Sequence, residues 1–120
     1  MAERRKIERR SISYYMRIID GGTNQMIGHL ADITPKGLKM DSQKPIPKNI
    51  EYRLRINTTD DVADKTSIEF MACSRWCELD PFQSGLYEIG FEIIKIDRID
   101  AEIVRKIMDK YSVNEKPFPL

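Results

Sequence analysis

The chain has 120 residues, 41% hydrophobic and 32% charged, with a formal net charge of +1. That length suits a single domain with one modest core, and the composition excludes a disordered chain. A charge so close to neutral argues against a protein that coats nucleic acid by bulk electrostatics.

The charge is unevenly placed. Residues 1–10 carry five basic side chains (Arg4, Arg5, Lys6, Arg9, Arg10) against two acidic ones (Glu3, Glu8). A cationic arm on a nearly neutral body suits a small anionic ligand better than a long polyanion. After Met1 the arm has one strongly apolar side chain, Ile7, so few contacts are expected to hold it down. It has no apolar stretch of the kind a secretory signal needs. No apolar run approaches the roughly 18–20 residues of a membrane helix. A cytoplasmic protein without membrane insertion is expected.

Ser11–Ile19 alternates Ile12, Tyr14, Met16 and Ile18 with Ser13, Tyr15 and Arg17, which predicts a half-buried strand. The cluster from Asp20 to Asn24 predicts a turn, and Met26–Ile33 a second strand that pairs with the first as a hairpin. Asp32-Ile33-Thr34-Pro35-Lys36-Gly37 closes that strand. There Pro35 fixes φ, and Gly37 either takes a positive φ or lets another group approach the backbone. A short third strand follows over Gly37–Met40, then a loop over Gln43–Pro47.

Ile50–Asn57 predicts a fourth strand with Ile50, Tyr52, Leu54 and Ile56 inward, followed by a polar, acidic loop over Thr58–Lys65. Ser67–Cys77 predicts a fifth, with Ile68, Phe70, Ala72 and Trp76 on one face. After a turn at Asp80–Gly85, Leu86–Ile96 predicts a sixth, with Tyr87, Ile89, Phe91 and Ile93 on one face. Six short strands without interleaved helices point to an antiparallel barrel or sandwich, and a barrel removes the exposed edges.

Only the end reads as helix. Ile99, Ile103, Val104, Ile107, Met108 and Tyr111 form one stripe at a 3.6-residue period, with Asp97 or Asp100 placed to cap it. The expected organisation is an arm over 1–10, a barrel over 11–97, a helix over 98–112 and a loose tail over 113–120, together one domain.

Cys73, Cys77 and His29 are the only cysteines and histidine, too few for a four-ligand zinc site. On a strand the two cysteines are about 13 Å apart, too far for a disulfide, and read as reduced thiols. His29 sits mid-strand beside Ile27 and Ala31 and reads as structural or surface. No nucleophile–base pair, metal cluster or phosphate-cradling loop is recognisable, so no catalytic activity is expected.

Two motifs carry chemistry. The first is Arg4-Arg5-Lys6-Ile7-Glu8-Arg9; the second is Asp32-x-Thr34-x-x-Gly37, which begins 23 residues after Arg9. One expected hairpin separates them and returns the chain close to where it began, so both can sit at one end of a barrel. Singly, such a cluster is commonly a solvated arm and such a turn is commonly only a turn. Their combination, in this order, is far more specific.

With these motifs the sequence resembles the PilZ domain family, whose signature is R-x-x-x-R followed by a [D/N]-x-[S/A]-x-x-G turn between the second and third strands. Here those are Arg5 to Arg9, preceded by Arg4, and Asp32 to Gly37. Ala72-Cys73-Ser74-Arg75-Trp76 resembles the family's strand ending in Trp, and Tyr87 to Ile93 resembles its final strand. The resemblance runs from about Glu3 to the C-terminal helix. Thr34 departs from the usual Ser or Ala, and Lys36 stands where a small residue is common; both bear on affinity and ligand stoichiometry.

The resemblance implies a mainly β fold, a six-stranded antiparallel β-barrel with a C-terminal α-helix. It implies a non-catalytic receptor for cyclic di-GMP with no cofactor, acting on a separate effector protein in bacterial motility, pilus, polysaccharide or virulence control. The implied ligand residues are Arg4, Arg5, Arg9, Asp32, Thr34, Gly37 and Trp76. Arginine matches phosphate oxygens and the O6/N7 edge of guanine and stacks on purines. Asp32 can accept from guanine N1–H and the amino group. Thr34 can donate to a phosphate, and Gly37 permits close approach. Trp76 either stacks on a base or belongs to the core with Phe70. Binding would order the arm and change the exposed surface. Two other readings stay open: a PilZ-like protein-interaction module with weak or no ligand binding, and a small RNA-binding β-barrel. The retained motifs weigh against the first. Near-neutral charge, with no nucleic acid polymer expected as partner, weighs against the second.

Overall fold

Alternating apolar residues in short runs can bury one face only by pairing laterally and curving around a shared interior. The computed structural model, which describes residues 16–58 and 63–111, does this with six strands and a helix. They are β1 (Arg17–Asp20), β2 (Gln25–Thr34), β3 (Gly37–Ser42), β4 (Glu51–Asn57), β5 (Ser67–Leu79), β6 (Tyr87–Lys95) and α1 (Arg98–Tyr111). The expected arm, the beginning of the expected first strand at 11–15 and the tail lie outside the described residues.

The strands form a closed antiparallel barrel in the order β1-β2-β3-β6-β5-β4, with β4 returning to β1. Ile18, Leu30, Met40, Leu54, Ile56, Ile68, Phe70, Ile89 and Phe91 fill its interior. Asn24, at φ 64°, takes the left-handed region in the β1–β2 turn, which Asn tolerates better than most residues. The Asp20 carboxylate accepts from Gly22 N–H at 2.8 Å and closes that turn.

Two expectations about facing change. Ile50 lies just before β4 and is 43% exposed, not inward. It belongs to the entry loop, where its N–H donates to the Ser74 hydroxyl at 3.1 Å. Ser74 itself is buried and donates to the Pro47 carbonyl at 2.7 Å, so this hydroxyl ties the proline-rich loop to β5. In β5 the expected common face of Phe70 and Trp76 is broken. Ser74 pairs with Phe91 and Trp76 with Gly90, so Arg75 is an extra residue in the ladder. A one-residue bulge reverses the facing of everything beyond it, and Trp76 leaves the interior for the outer wall. Cys73 is buried and Cys77 half-buried, both as free thiols.

Helix α1 packs against β2 and β5 through Ile103, Val104 and Ile107, all buried. Ile99 is 66% exposed, so the apolar stripe begins one turn later than expected. Asp97 is the cap: its Oδ1 accepts from Asp100 N–H at 2.9 Å. Asp100 takes the inward position instead, 3% exposed. Its carboxylate accepts from Lys65 Nζ at 2.6 Å and from Glu69 N–H at 3.3 Å, and the helix N-terminus favours its negative charge. One side chain thus pins the start of α1 to β5.

Removing that carboxylate frees the half-exposed Lys65 to water and leaves the Glu69 N–H on β5 without its acceptor. Asp100→Ala should lower unfolding free energy by about 2–3 kcal/mol, against about 1 kcal/mol for the cap variant Asp97→Ala, as read by urea denaturation. Equal losses would show that Asp100 is no more than a second cap. The hydrogen bond to Asp100 raises the Lys65 pKa above its ordinary 10.5. On the alkaline side, the stability that Lys65 contributes is therefore full up to pH 10.5 and is lost as pH rises through the higher folded value.

Candidate functional site

Barrel closure sends every alternate side chain outward, and one stretch of this outer wall is concave. A cleft of about 380 Å³ lies across β3, β6 and β5, and it reaches the β2–β3 turn. Asp32, Thr34 and Gly37 line it, together with Trp76. The structure thus brings together the four described candidates. Arg4, Arg5 and Arg9 lie outside the described residues.

The turn is held by its own side chains. The Thr34 hydroxyl accepts from Lys36 N–H at 3.2 Å and from Gly37 N–H at 3.3 Å. Its own proton has a weak outlet, the Gly37 carbonyl at 3.5 Å, and so remains available to an incoming acceptor. Asp32 Oδ1 accepts from Ile33 N–H at 2.9 Å, and the other oxygen has no protein partner among the described residues. The Lys36 carbonyl accepts from Ile93 N–H at 2.8 Å, which fastens the turn to β6.

Of the two expectations for Gly37, close approach is the one realised. A Cβ there would lie 2.6 Å from the Phe91 carbonyl oxygen, in the backbone of β6. Gly90 plays the matching part on β6: a Cβ there would lie 2.2 Å from Trp76 Cε2. The indole therefore lies across a strand backbone that has no side chain to push it away, and the two glycines make the cleft's floor.

Seven further residues line the cleft without having stood out in the sequence as site residues, among them Lys39, Arg75, Gly90 and Glu92. A glycine inside a strand pattern signals close backbone approach, and that signal was present at Gly90. Arg75 and Glu92 gave none, because their meeting depends on the bulge. Arg75 Nε and Nη2 both donate to Glu92 Oε1, at 2.8 and 2.7 Å, and Arg75 Nη1 donates to Asn49 Oδ1 at 3.2 Å. The bond to Glu92 raises the Arg75 pKa further, so the guanidinium stays charged. Lys36 and Lys39 make no ion pair among the described residues.

His29 lies away from the cleft, opposite Arg17 and Asp41 on the neighbouring strands. Burial and then Arg17 lower its pKa from 6.5, while Asp41 works the other way. Asp41, Asp80 and Glu88 bring carboxylate oxygens within 4.8 Å of one another, but that proximity alone defines no metal site.

These features define the chain as a small closed β-barrel with a mixed polar and aromatic cleft on its outer wall. A family model for the PilZ domain matches residues 3–110. The chain belongs to the PilZ domain family. A solved structure of the Bacillus subtilis inhibitor of motility, MotI/DgrA, matches with a TM-score of 0.61 at 18% sequence identity. The match covers 80% of this chain and 46% of that one, so the chain spans about half the length of that relative. At this identity the likeness shows the fold alone. No curated protein matches the chain.

The Trp76–Gly90 contact can be tested directly, because Trp76 is the chain's single tryptophan. Gly90→Ala must displace the indole, at a stability loss of about 1–3 kcal/mol, with a red shift of tryptophan emission as the ring meets water. Unchanged emission and stability would show that the ring does not lie on β6.

Proposed function

We propose that the protein is a receptor for cyclic di-GMP that acts through a partner protein and carries out no chemistry of its own. The observation that carries this reading is the convergence of Asp32, Thr34, Gly37 and Trp76 on one cleft. Membership of the PilZ domain family supports the ligand's identity. The cleft offers what a cyclic dinucleotide needs. The open oxygen of Asp32 suits the guanine N1–H and amino donors, the Thr34 hydroxyl suits a phosphate, and the Trp76 face suits a base. Lys36 and Lys39 add attraction for phosphate.

Arg4, Arg5 and Arg9 are assigned to the ligand by their place in the R-x-x-x-R motif. Each arginine contributes charge-assisted hydrogen bonds to phosphate or to the guanine edge. An arm that gains fixed partners in this way alters the surface offered to an effector. No described helix is long and apolar enough to cross a membrane.

Calorimetry with cyclic di-GMP tests the reading and counts ligands per chain. Arg5→Ala and Arg9→Ala should each weaken binding by about 10- to 100-fold, equivalent to about 1.5–3 kcal/mol, with little change in barrel stability. Wild-type affinity in both variants would sink the assigned site. Asp32→Ala should narrow the preference for cyclic di-GMP over cyclic di-AMP, because adenine lacks the donors assigned to this carboxylate. Unchanged selectivity would leave Asp32 as a turn residue only.

A further inference from the structure

A carboxylate is an unexpected wall for a site that receives a dianion, and Glu92 lines the cleft. Its position follows from register. Glu92 lies opposite Gly37 on β3, so its neighbour on that side has no side chain to cover it. On the other side the β5 bulge pushes Arg75 out of the ladder and towards it. Two guanidinium N–H groups then close on a single carboxylate oxygen, at 2.8 and 2.7 Å.

Arg75 is held from behind as well. Asn49, at φ 64°, ends the proline-rich loop, and its side-chain oxygen accepts from Arg75 Nη1 at 3.2 Å. The Ser74 hydroxyl fixes that loop through Pro47, and Asn49 N–H donates to the Ser74 carbonyl at 2.6 Å. The guanidinium is thus set in place before any ligand arrives, with its fork directed at an anionic oxygen. The arrangement reproduces what arginine does with a phosphodiester. The pair is also half open to water, Arg75 being 45% and Glu92 54% exposed. An ion pair in that setting is readily exchanged for another.

We propose that Glu92 is a built-in competitor for the ligand's phosphate. In the free protein it occupies Arg75, and in the complex a phosphodiester oxygen takes Arg75 from it. This rests on the reading of the cleft as a cyclic dinucleotide site and adds a residue that sets its threshold. Two effects act in the same direction: the ligand must displace the carboxylate, and the displaced carboxylate then repels the ligand. Glu92 therefore raises the ligand concentration at which the receptor responds, without touching the ligand itself. Arg75 becomes a phosphate ligand, beside the motif residues Asp32 and Thr34.

Calorimetric titration of cyclic di-GMP into wild type, Glu92→Gln, Arg75→Gln and Arg5→Ala decides the matter, at about 50 mM and about 500 mM salt. Glu92→Gln should bind about 3- to 10-fold more tightly at low salt, and the gain should shrink at high salt as the repulsion is screened. Arg75→Gln should bind at least about 10-fold more weakly, having lost a phosphate ligand and left Glu92 uncompensated. Trp76 emission in the free variants reports that the cleft is intact. Unchanged or weaker binding by Glu92→Gln, or a gain indifferent to salt, overturns the proposal. If the wild type binds and Arg5→Ala does not, such a result defeats Glu92's role alone and leaves the ligand reading standing. If neither wild type nor Glu92→Gln binds, both fall together.

Discussion

The structure depends on closure of the sheet through β1, a described strand of four residues that pairs with both β2 and β4. Without those pairings β2 and β4 would each present an unpaired row of backbone donors and acceptors. Closure also decides where a ligand can go. The interior is filled by side chains such as Met40, Leu54, Ile56 and Ile89, none of them exposed, so no ligand enters the barrel. Any site must lie on the outer wall, where neighbouring side chains normally stand too close together to leave a depression.

Three local departures create one. Gly37 and Gly90 remove two side chains from the wall on β3 and β6, and the bulge at Arg75 turns Trp76 outward to lie beside the gap. None suffices alone. A bulge without Gly90 would drive the indole into a Cβ, and Gly90 without the bulge would leave the ring inside with Phe70. The glycines weaken their strands, and the Trp76 ring restores cover over the β6 backbone.

The period-two runs were enough to place all six strands, and the apolar stripe was enough to place the helix, because burial on one face imposes that periodicity wherever the ladder is regular. Sequence reading failed where the ladder is irregular. Alternation carried straight through Arg75 puts Trp76 on the face of Phe70, and nothing in Ser-Arg-Trp marks an extra residue. Ile99 falls on the helix stripe by its spacing to Ile103 and Val104, and spacing alone does not show that Asp100 is the inward residue of that turn. The cation that makes an aspartate the better inward residue, Lys65, lies 35 residues away in sequence. Asp32, Thr34 and Gly37 stood out because a turn motif is local. Arg75 and Glu92, 17 residues apart, meet only through the β5–β6 register.

The charge balance of the cleft bears on how selective such a receptor can be. Lys36 and Lys39 stand against Asp32, and Arg75 is already engaged by Glu92, so the wall is nearly neutral. On the proposed reading the ligand brings two negative charges, and a neutral wall does little to gather them from solution. It can, however, recognise shape, base edge and one phosphate position. On that reading the gathering charge comes from the arginines of the R-x-x-x-R motif and the one before it, Arg4, Arg5 and Arg9. A barrel that was itself strongly cationic would bind any abundant polyanion, RNA above all, and would compete with its own ligand. Keeping the wall neutral and the cations on the arm separates attraction from recognition. On the proposed reading a polyanion that attracts the arm gains little from the wall, whereas a compact dianion with a guanine edge gains from both. Specificity is a difference between two affinities; on the proposed reading a carboxylate that must be displaced from Arg75 lowers the affinity of every anion that reaches the cleft, so only one with further matching contacts holds there.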